Sequence, residues 1–138
     1  MTAVDTRTRA FLENWYAAVA AEDIAAIADT LADDAEIASP AYWAPKGPKA
    51  YVVGVLTGVM GAFEDFRYEG EWIEGSEIIL EFSARIGETK LRGIDRISLD
   101  AAGRLRHIEV MVRPINGLMA LAEKVRNHLG PLAANNLH

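Results

Sequence analysis

The sequence predicts an α+β domain in which helices lie on one face of an antiparallel sheet. Its elements follow the order helix, helix, strand, helix, four strands and a tail helix. The four consecutive strands are joined by short turns, which favour antiparallel pairing. The first three helices are segregated before this block, and this places them together on one face of the sheet.

Two amphipathic helices open the chain. Residues 5–21 are predicted to form a helix, and together with Val4 just before it their apolar side chains make one stripe of Val4, Phe11, Leu12, Trp15 and Val19. Asp23 is suited to cap a second, shorter helix that carries Ile24, Ile27 and Leu31.

A short strand and a third helix come next. Residues 35–39 form the strand, and Pro40 stops it. A loop rich in proline then leads to a helix from Pro48 to about Gly61. Gly54 and Gly58 share a face of this helix, and we expect that face to pack closely on the sheet.

Four strands and a final helix complete the chain. The strands are predicted at 65–75, 76–87, 90–100 and 104–114, and the first of them is weakened near Gly70. Period-2 alternation is clearest in the second, where one face carries Ile78, Leu80, Phe82, Ala84 and Ile86. Asn116 is suited to cap a helix that ends at Gly130-Pro131.

Length, charge and composition exclude several classes of protein. The 138 residues predict one domain over 1–138, with a core at about 7–115 and a C-terminal helix at about 116–130. There is no cysteine, so neither a disulfide scaffold nor thiol chemistry is expected. The net charge of −6 disfavours nucleic acid as a partner. Residues 50–63, the most apolar stretch, are too few to span a bilayer. We therefore expect a cytoplasmic protein.

Asp95 is the most informative single residue. By strand parity it points inward together with Leu91, Gly93, Ile97 and Leu99. A carboxylate on an inward face costs several kcal/mol unless it is paired or protonated. Two interpretations follow. Asp95 is either a functional acid in a pocket, with a raised pKa, or a structural residue paired with an arginine or a backbone amide.

The opposite parity defines a predicted outer sheet face. It mixes charged and apolar side chains, as protein interfaces do, and predicts a homodimer of two-fold symmetry. Its residues are Arg92, Ile94, Arg96, Leu105, His107, Glu109 and Met111. His107 and Glu109 also have the spacing of two metal ligands, but no third ligand is evident, so we predict a solvated or interface face and no metal.

Three segments resemble the nuclear-transport-factor-2-like (NTF2-like) superfamily, and within it the SnoaL-like and ketosteroid-isomerase-like branch. They are "WYAAVAAEDIAAIADTLADDAEIASP", "KGPKAYVVGVL" and "RGIDRISLDAAGRLRHIEVMVRP". The resemblance covers about residues 7–115. It implies a cone-shaped, cystatin-like fold, in which a strongly curved antiparallel sheet wraps around the helices and leaves a pocket inside. It also implies dimerisation through the outer sheet face.

The resemblance assigns three positions of the isomerase site. Isomerases of this superfamily use an aspartate base, with a tyrosine and a protonated aspartic acid as oxyanion donors. Here the base position falls on Ser39, the tyrosine position on Trp15 and the oxyanion acid on Asp95. Tyr16 is one residue away from the tyrosine position and so about 100° around the helix. Ser39 cannot abstract a carbon-bound proton at neutral pH without a neighbouring base.

We therefore expect an apolar pocket that binds a small hydrophobic, steroid- or polyketide-like ligand without a cofactor. Its predicted wall consists of Trp15, Val19, Ser39, Tyr42, Phe63, Phe82, Ile108, Val110 and Val112. Two functions remain open. Asp95 could support acid–base chemistry of the isomerase or cyclase kind, or the domain could be a non-catalytic ligand-binding or dimeric accessory protein.

Overall fold

A curved sheet of five strands carries four helices in the computed structural model, which describes residues 5–129. This confirms the predicted α+β fold class. In chain order the elements are α1 (Thr6–Ala20), α2 (Ile24–Asp29), β1 (Leu31–Ala38), α3 (Lys49–Ala62), β2 (Glu64–Glu74), β3 (Glu77–Ile86), β4 (Thr89–Leu99), β5 (Leu105–Arg113) and α4 (Ile115–Leu129).

The strands lie in the order β1-β5-β4-β3-β2. The pairs β2–β3, β3–β4 and β4–β5 are antiparallel hairpins, as predicted. β1 is parallel to β5, so the sheet is mixed rather than wholly antiparallel. β1 and β5 are far apart in the chain, and no short turn fixes their relative direction.

Two boundaries differ from the predicted ones. Leu31 begins β1 instead of continuing α2, because α2 ends at Asp29 and the carbonyl of Thr30 accepts a hydrogen bond of 2.8 Å from Leu105 N. Asn116 lies inside the first turn of α4 rather than before it, since Leu118 N already donates to Pro114 O. The predicted end of α4 at Gly130-Pro131 lies outside the described residues.

The core lies between the concave face of the sheet and the first three helices. Ile78 and Leu80 of β3 and Ile97 of β4 are at most 1% exposed, as their alternation predicts. Leu12 of α1 and Val52 of α3 are fully buried against them. Burial of each such side chain stabilises the fold by about 1.5–3 kcal/mol relative to exposure. No helix within residues 5–129 is long and apolar enough to cross a membrane.

Leu105 is a correction to the predicted outer face, because it is fully buried. The β4–β5 register shifts between Ser98 and Leu99, which pair with His107 and Leu105 respectively. This bulge inserts one extra residue into β5 between Leu105 and His107. Residues two positions apart normally share a face, but the extra residue reverses the alternation, so Leu105 points inward while His107 points outward.

Gly54 and Gly58 of α3 face another helix and not the sheet, contrary to expectation. A Cβ atom on Gly58 would lie 3.0 Å from Cδ2 of His128, and one on Gly54 would lie 3.5 Å from a methyl group of Leu129. Both partners belong to α4. The missing side chains therefore let α4 approach α3 closely.

We expect Gly93→Ala to destabilise the protein by about 1–3 kcal/mol. A Cβ atom there would lie 2.5 Å from both Met111 O and the Phe82 ring. Gly61→Ala is the matched control, because it meets no atom within 4 Å and should stabilise α3 by up to about 1 kcal/mol. Urea unfolding of both variants measures these changes. Equal effects of the two substitutions would contradict the packing described for β4.

Candidate functional site

A cavity of about 530 Å³ opens between the concave sheet face and helices α1, α3 and α4. Most of its wall is apolar. Helix α4, which follows the sheet, covers part of it with Leu118, Leu121 and Ala122. A cavity of this size and character is typical of sites for small organic molecules.

Seven of the predicted site residues lie on the wall of this cavity: Trp15, Val19, Ser39, Phe63, Phe82, Asp95 and Val110. Three do not. Ile108 is fully buried in the core behind the wall, and Val112 packs in a separate cluster with Phe82 and Leu91. Tyr42 is not part of the wall; its hydroxyl is hydrogen-bonded to that of Tyr51. Contact between these seven residues and a ligand remains a prediction.

Sequence reasoning missed two aromatic rings from β2 in this wall as site residues. The Phe66 ring stacks on Phe63 with centroids 5.5 Å apart, and Tyr68 meets Phe66 edge-on at 4.9 Å. The parity of β2 was the available signal, since positions 66 and 68 share a face. It is hidden by a register shift between Tyr68 and Gly70, which breaks the alternation along the strand.

Trp15, which occupies the tyrosine position implied by the resemblance, is hydrogen-bonded to Tyr68. Trp15 Nε1 of α1 donates a hydrogen bond of 2.9 Å to Tyr68 Oη. Among residues 5–129 no acceptor for the hydroxyl proton of Tyr68 is found. Burial, reinforced by the nearby Asp95, raises the pKa of Tyr68, so this hydroxyl stays protonated. It is therefore a fixed donor available to the cavity.

Asp95 lies at the centre of the concave face, where it is 8% exposed and flanked by Leu80 of β3 and Val110 of β5. Its carboxyl group has no hydrogen-bond or salt-bridge partner within the described part of the chain. Burial alone raises its pKa to about 7. This direction agrees with a functional acid in a pocket, and within residues 5–129 Asp95 lacks the arginine or amide that the structural alternative requires.

The other polar groups in the wall are already engaged or exposed. Ser39 Oγ accepts a hydrogen bond of 3.0 Å from Ala41 N. The Asp65 carboxylate lies 2.6 Å from Arg85 Nε, and Glu22 is exposed at the end of α1. Among the carboxyl groups that line the cavity, Asp95 is thus the one that is buried and has no hydrogen-bond or salt-bridge partner within residues 5–129.

His107 does not form a pair of ligands with Glu109. Its Nδ1 lies 2.7 Å from Glu36 Oε2 of β1, which joins the two neighbouring strands. Within the described ranges no group of three metal-ligating side chains is assembled. The geometry at His107 is that of a hydrogen bond across the sheet.

Comparison with known proteins identifies the relatives of this chain. Residues 12–108 match the family model of the SnoaL-like domain. A steroid delta-isomerase from Pseudomonas aeruginosa is 36% identical with a TM-score of 0.89, over 97% of this chain and 99% of that one. A protein with a cystatin-like fold from Silicibacter pomeroyi is 29% identical with a TM-score of 0.82, over 86% of this chain and 84% of that one. An NTF2-like protein of unknown function from Cytophaga hutchinsonii is 14% identical with a TM-score of 0.64, over 83% and 96%, and supports the fold alone. The comparison with curated proteins found no significant match.

The raised pKa of Asp95 predicts a specific pH dependence of stability. The unfolded chain releases this proton near pH 4, whereas the folded chain keeps it up to about pH 7. Folding therefore takes up a proton between these values, and the contribution of Asp95 to stability falls as pH rises through this window.

We expect the stability of Asp95→Asn relative to the wild type to increase by roughly 2–3 kcal/mol as the pH rises from 5 to 8. Because the wild type and Asp95→Asn share all other carboxylates, the difference between their unfolding free energies isolates the titration of Asp95. Urea unfolding at several pH values measures the difference. A difference that is constant with pH would mean that Asp95 titrates normally in the folded protein.

Proposed function

This chain is a member of the SnoaL-like domain family within the NTF2-like superfamily, and from that premise we propose that its cavity binds a small hydrophobic ligand that carries a carbonyl group. The single observation that carries the proposal is Asp95, which is buried in an apolar cavity wall and has no hydrogen-bond or salt-bridge partner among residues 5–129. A neutral carboxylic acid is a hydrogen-bond donor, and a ligand carbonyl oxygen would satisfy it.

Tyr68 supplies a second donor in this proposal. Its hydroxyl accepts from Trp15 and keeps its own proton for the ligand. Two donors that converge on one carbonyl oxygen stabilise it best when negative charge develops there, as in an enolate. Since Trp15 and the Asp95 backbone belong to regular elements, these donors are held before the ligand arrives.

The proposed chemistry is acid–base catalysis of the isomerase or cyclase kind on a steroid- or polyketide-like compound. Asp95 would protonate or hydrogen-bond the carbonyl oxygen and thereby acidify the adjacent C–H group. Ser39 at the corner after β1 accepts a hydrogen bond from Ala41 N, and within residues 5–129 no carboxylate or imidazole is hydrogen-bonded to it, so removal of that proton would fall to another group or to the ligand itself.

A non-catalytic binding function is the second candidate, and the hydroxyl at Ser39 favours it. Without a positioned base, the same two donors would hold a ketone without turning it over. Exchange of the α-protons of a bound ketone with deuterated water separates the two functions. Exchange that is faster than in free solution and lost in Asp95→Ala identifies an enzyme.

Substitutions of Asp95 test ligand binding with an uncharged steroid ketone as the probe. Asp95→Asn should retain most of the affinity, because the amide still donates. Asp95→Ala and Asp95→Leu should each lose about tenfold in affinity, the equivalent of one hydrogen bond, while keeping or gaining stability. Calorimetric titration and thermal melts measure both quantities. A large fall in melting temperature with unchanged affinity would make Asp95 a structural residue.

The same assay extends to Tyr68. Tyr68→Phe removes the second donor and should weaken the probe severalfold. Tyr16→Phe is the matched control, since the Tyr16 hydroxyl already donates to Glu71 Oε1 at 2.7 Å and is not free for the ligand. Equal losses from the two substitutions would assign the effect to packing rather than to the Tyr68 proton.

We also propose a homodimer of this protein, in the cytoplasm, formed through the outer sheet face. Met111 and Trp72 are 45% and 56% exposed there, beside the charged Arg96 and Glu109. Sedimentation at tens of micromolar should give the mass of a dimer, and Met111→Glu should shift it toward the monomer because it buries a charge. A wild-type monomer at that concentration would end this proposal.

A further inference from the structure

Helix α1 ends with a glutamate at a position that glycine usually occupies. Glu22 has a φ of 51°, in the left-handed region that side chains disfavour. The turn imposes this conformation. Glu22 N donates to Val19 O at 3.1 Å, and Asp23 N donates to Ala18 O at 2.9 Å. This pair of bonds is the Schellman arrangement, whose left-handed residue is most often glycine, so a glutamate there costs stability.

The fold offers no compensation for this cost. One other non-glycine residue within 5–129, Asp65, has a left-handed φ, of 52°, and both residues line the same cavity. Asp65 is held by Arg85, whose Nε lies 2.6 Å from its carboxylate. Among residues 5–129 no hydrogen-bond or salt-bridge partner of the Glu22 carboxylate is found. Residues that break a local rule without a structural gain are expected at functional sites.

Glu22 and Asp95 lie at different depths of the cavity. Glu22 is exposed and marks its open end, whereas Asp95 is buried. Trp15, Val19 and Glu22 line the cavity in succession along α1 and the turn that ends it. Glu22 is seven positions after Trp15, which a helical rise of 1.5 Å per residue converts to about 10 Å. Since Trp15 is bonded to Tyr68, the wall carries two donors at one end and a carboxylate about 10 Å away.

The backbone at Glu22 is held from both sides. Before it, Ala21 caps α1 and donates to Ala17 O at 3.0 Å. After it, Asp23 caps α2 by accepting a hydrogen bond of 3.1 Å from Ala26 N. The carboxylate is therefore presented at the mouth of the cavity from a fixed turn, and its oxygens only accept hydrogen bonds.

We propose that the ligand is an uncharged keto-alcohol whose hydroxyl lies about 10 Å from its carbonyl oxygen, and that Glu22 accepts a hydrogen bond from this hydroxyl. The inference rests on the proposed function, which places the carbonyl on Asp95 and Tyr68. An acceptor at the mouth requires a donor on the ligand, and a hydroxyl is the donor that leaves a hydrophobic compound uncharged. The same carboxylate disfavours ligands with an anionic end, because like charges repel.

The separation also defines the role of Glu22. The carbon next to a carbonyl group held by Asp95 is too far from Glu22 for proton removal, which requires hydrogen-bond reach. Glu22 is therefore a residue that determines specificity, and it is not the missing base.

Binding of testosterone and of its deoxy analogue tests the proposal. Testosterone has a ketone at one end of its ring system and a hydroxyl at the other, and the analogue lacks only the hydroxyl. By calorimetric titration the wild type should bind testosterone about fivefold more tightly than the analogue. Glu22→Gly should lose this preference, because it removes the acceptor, and should bind the analogue as the wild type does.

Stability separates this role from a structural one. The melting temperature of Glu22→Gly should rise by a few degrees, because glycine adopts the left-handed conformation without strain. Glu22→Gln keeps that strain and an uncharged acceptor, so it should melt near the wild type and show a weaker preference. Glu13→Gln is the matched control, since Glu13 is exposed on the same helix and does not line the cavity. It should keep the full preference for testosterone.

Several outcomes would overturn the inference. If neither steroid binds, the proposed function fails and the inference falls with it. If both bind the wild type equally, the cavity proposal stands and the role of Glu22 is wrong. If Glu22→Gly keeps the preference, another group meets the hydroxyl. If Glu22→Gly binds both steroids as the wild type does but loses exchange of the α-protons, Glu22 is a base. A fall in its melting temperature would mean that the glutamate serves the fold.

Discussion

The carboxyl group of Asp95 on an otherwise apolar sheet face is the constraint around which this site is arranged. A buried carboxylate without a partner is expensive, and the protein holds it at the centre of β4, the middle strand of the sheet. Within the described part of the chain, no arginine or amide pairs with it. Its apolar surroundings raise its pKa to about 7, so a substantial fraction of Asp95 is protonated near neutral pH and can donate a hydrogen bond into the cavity.

The second donor depends on contact between two distant parts of the chain. Trp15 and Tyr16 are neighbours on α1, but their side chains point to different partners on β2. The indole of Trp15 reaches Tyr68 in the cavity, and the hydroxyl of Tyr16 reaches Glu71. Arg9, about two turns before Tyr16 on α1, also contacts Glu71 at 3.4 Å. Hydrogen bonds at Tyr68 and at Glu71 thus tie helix α1 to strand β2.

Parity along well-alternating strands made much of this arrangement predictable. The inward positions of β3 and β4 follow from period-2 alternation, and Asp95 is found in that way without any relative for comparison. Tyr68 was not predictable, because β2 does not alternate regularly through Glu69 and Gly70. The parallel direction of β1 and the covering of the cavity by α4 depend on contacts between residues far apart in sequence, on which local periodicity carries no information.

The irregularity in β2 divides that strand into two functional halves. Before it, Phe66 and Tyr68 face the cavity; after it, Glu71 and Ile73 pair with the inward positions Leu80 and Ile78. An uninterrupted strand would instead turn Glu71 away from α1. Because the register shift resets which residues face inward, substitutions in the first half that reshape the cavity need not disturb the packing of the second half. The strand can therefore diversify its chemistry at one end while the other end preserves the architecture.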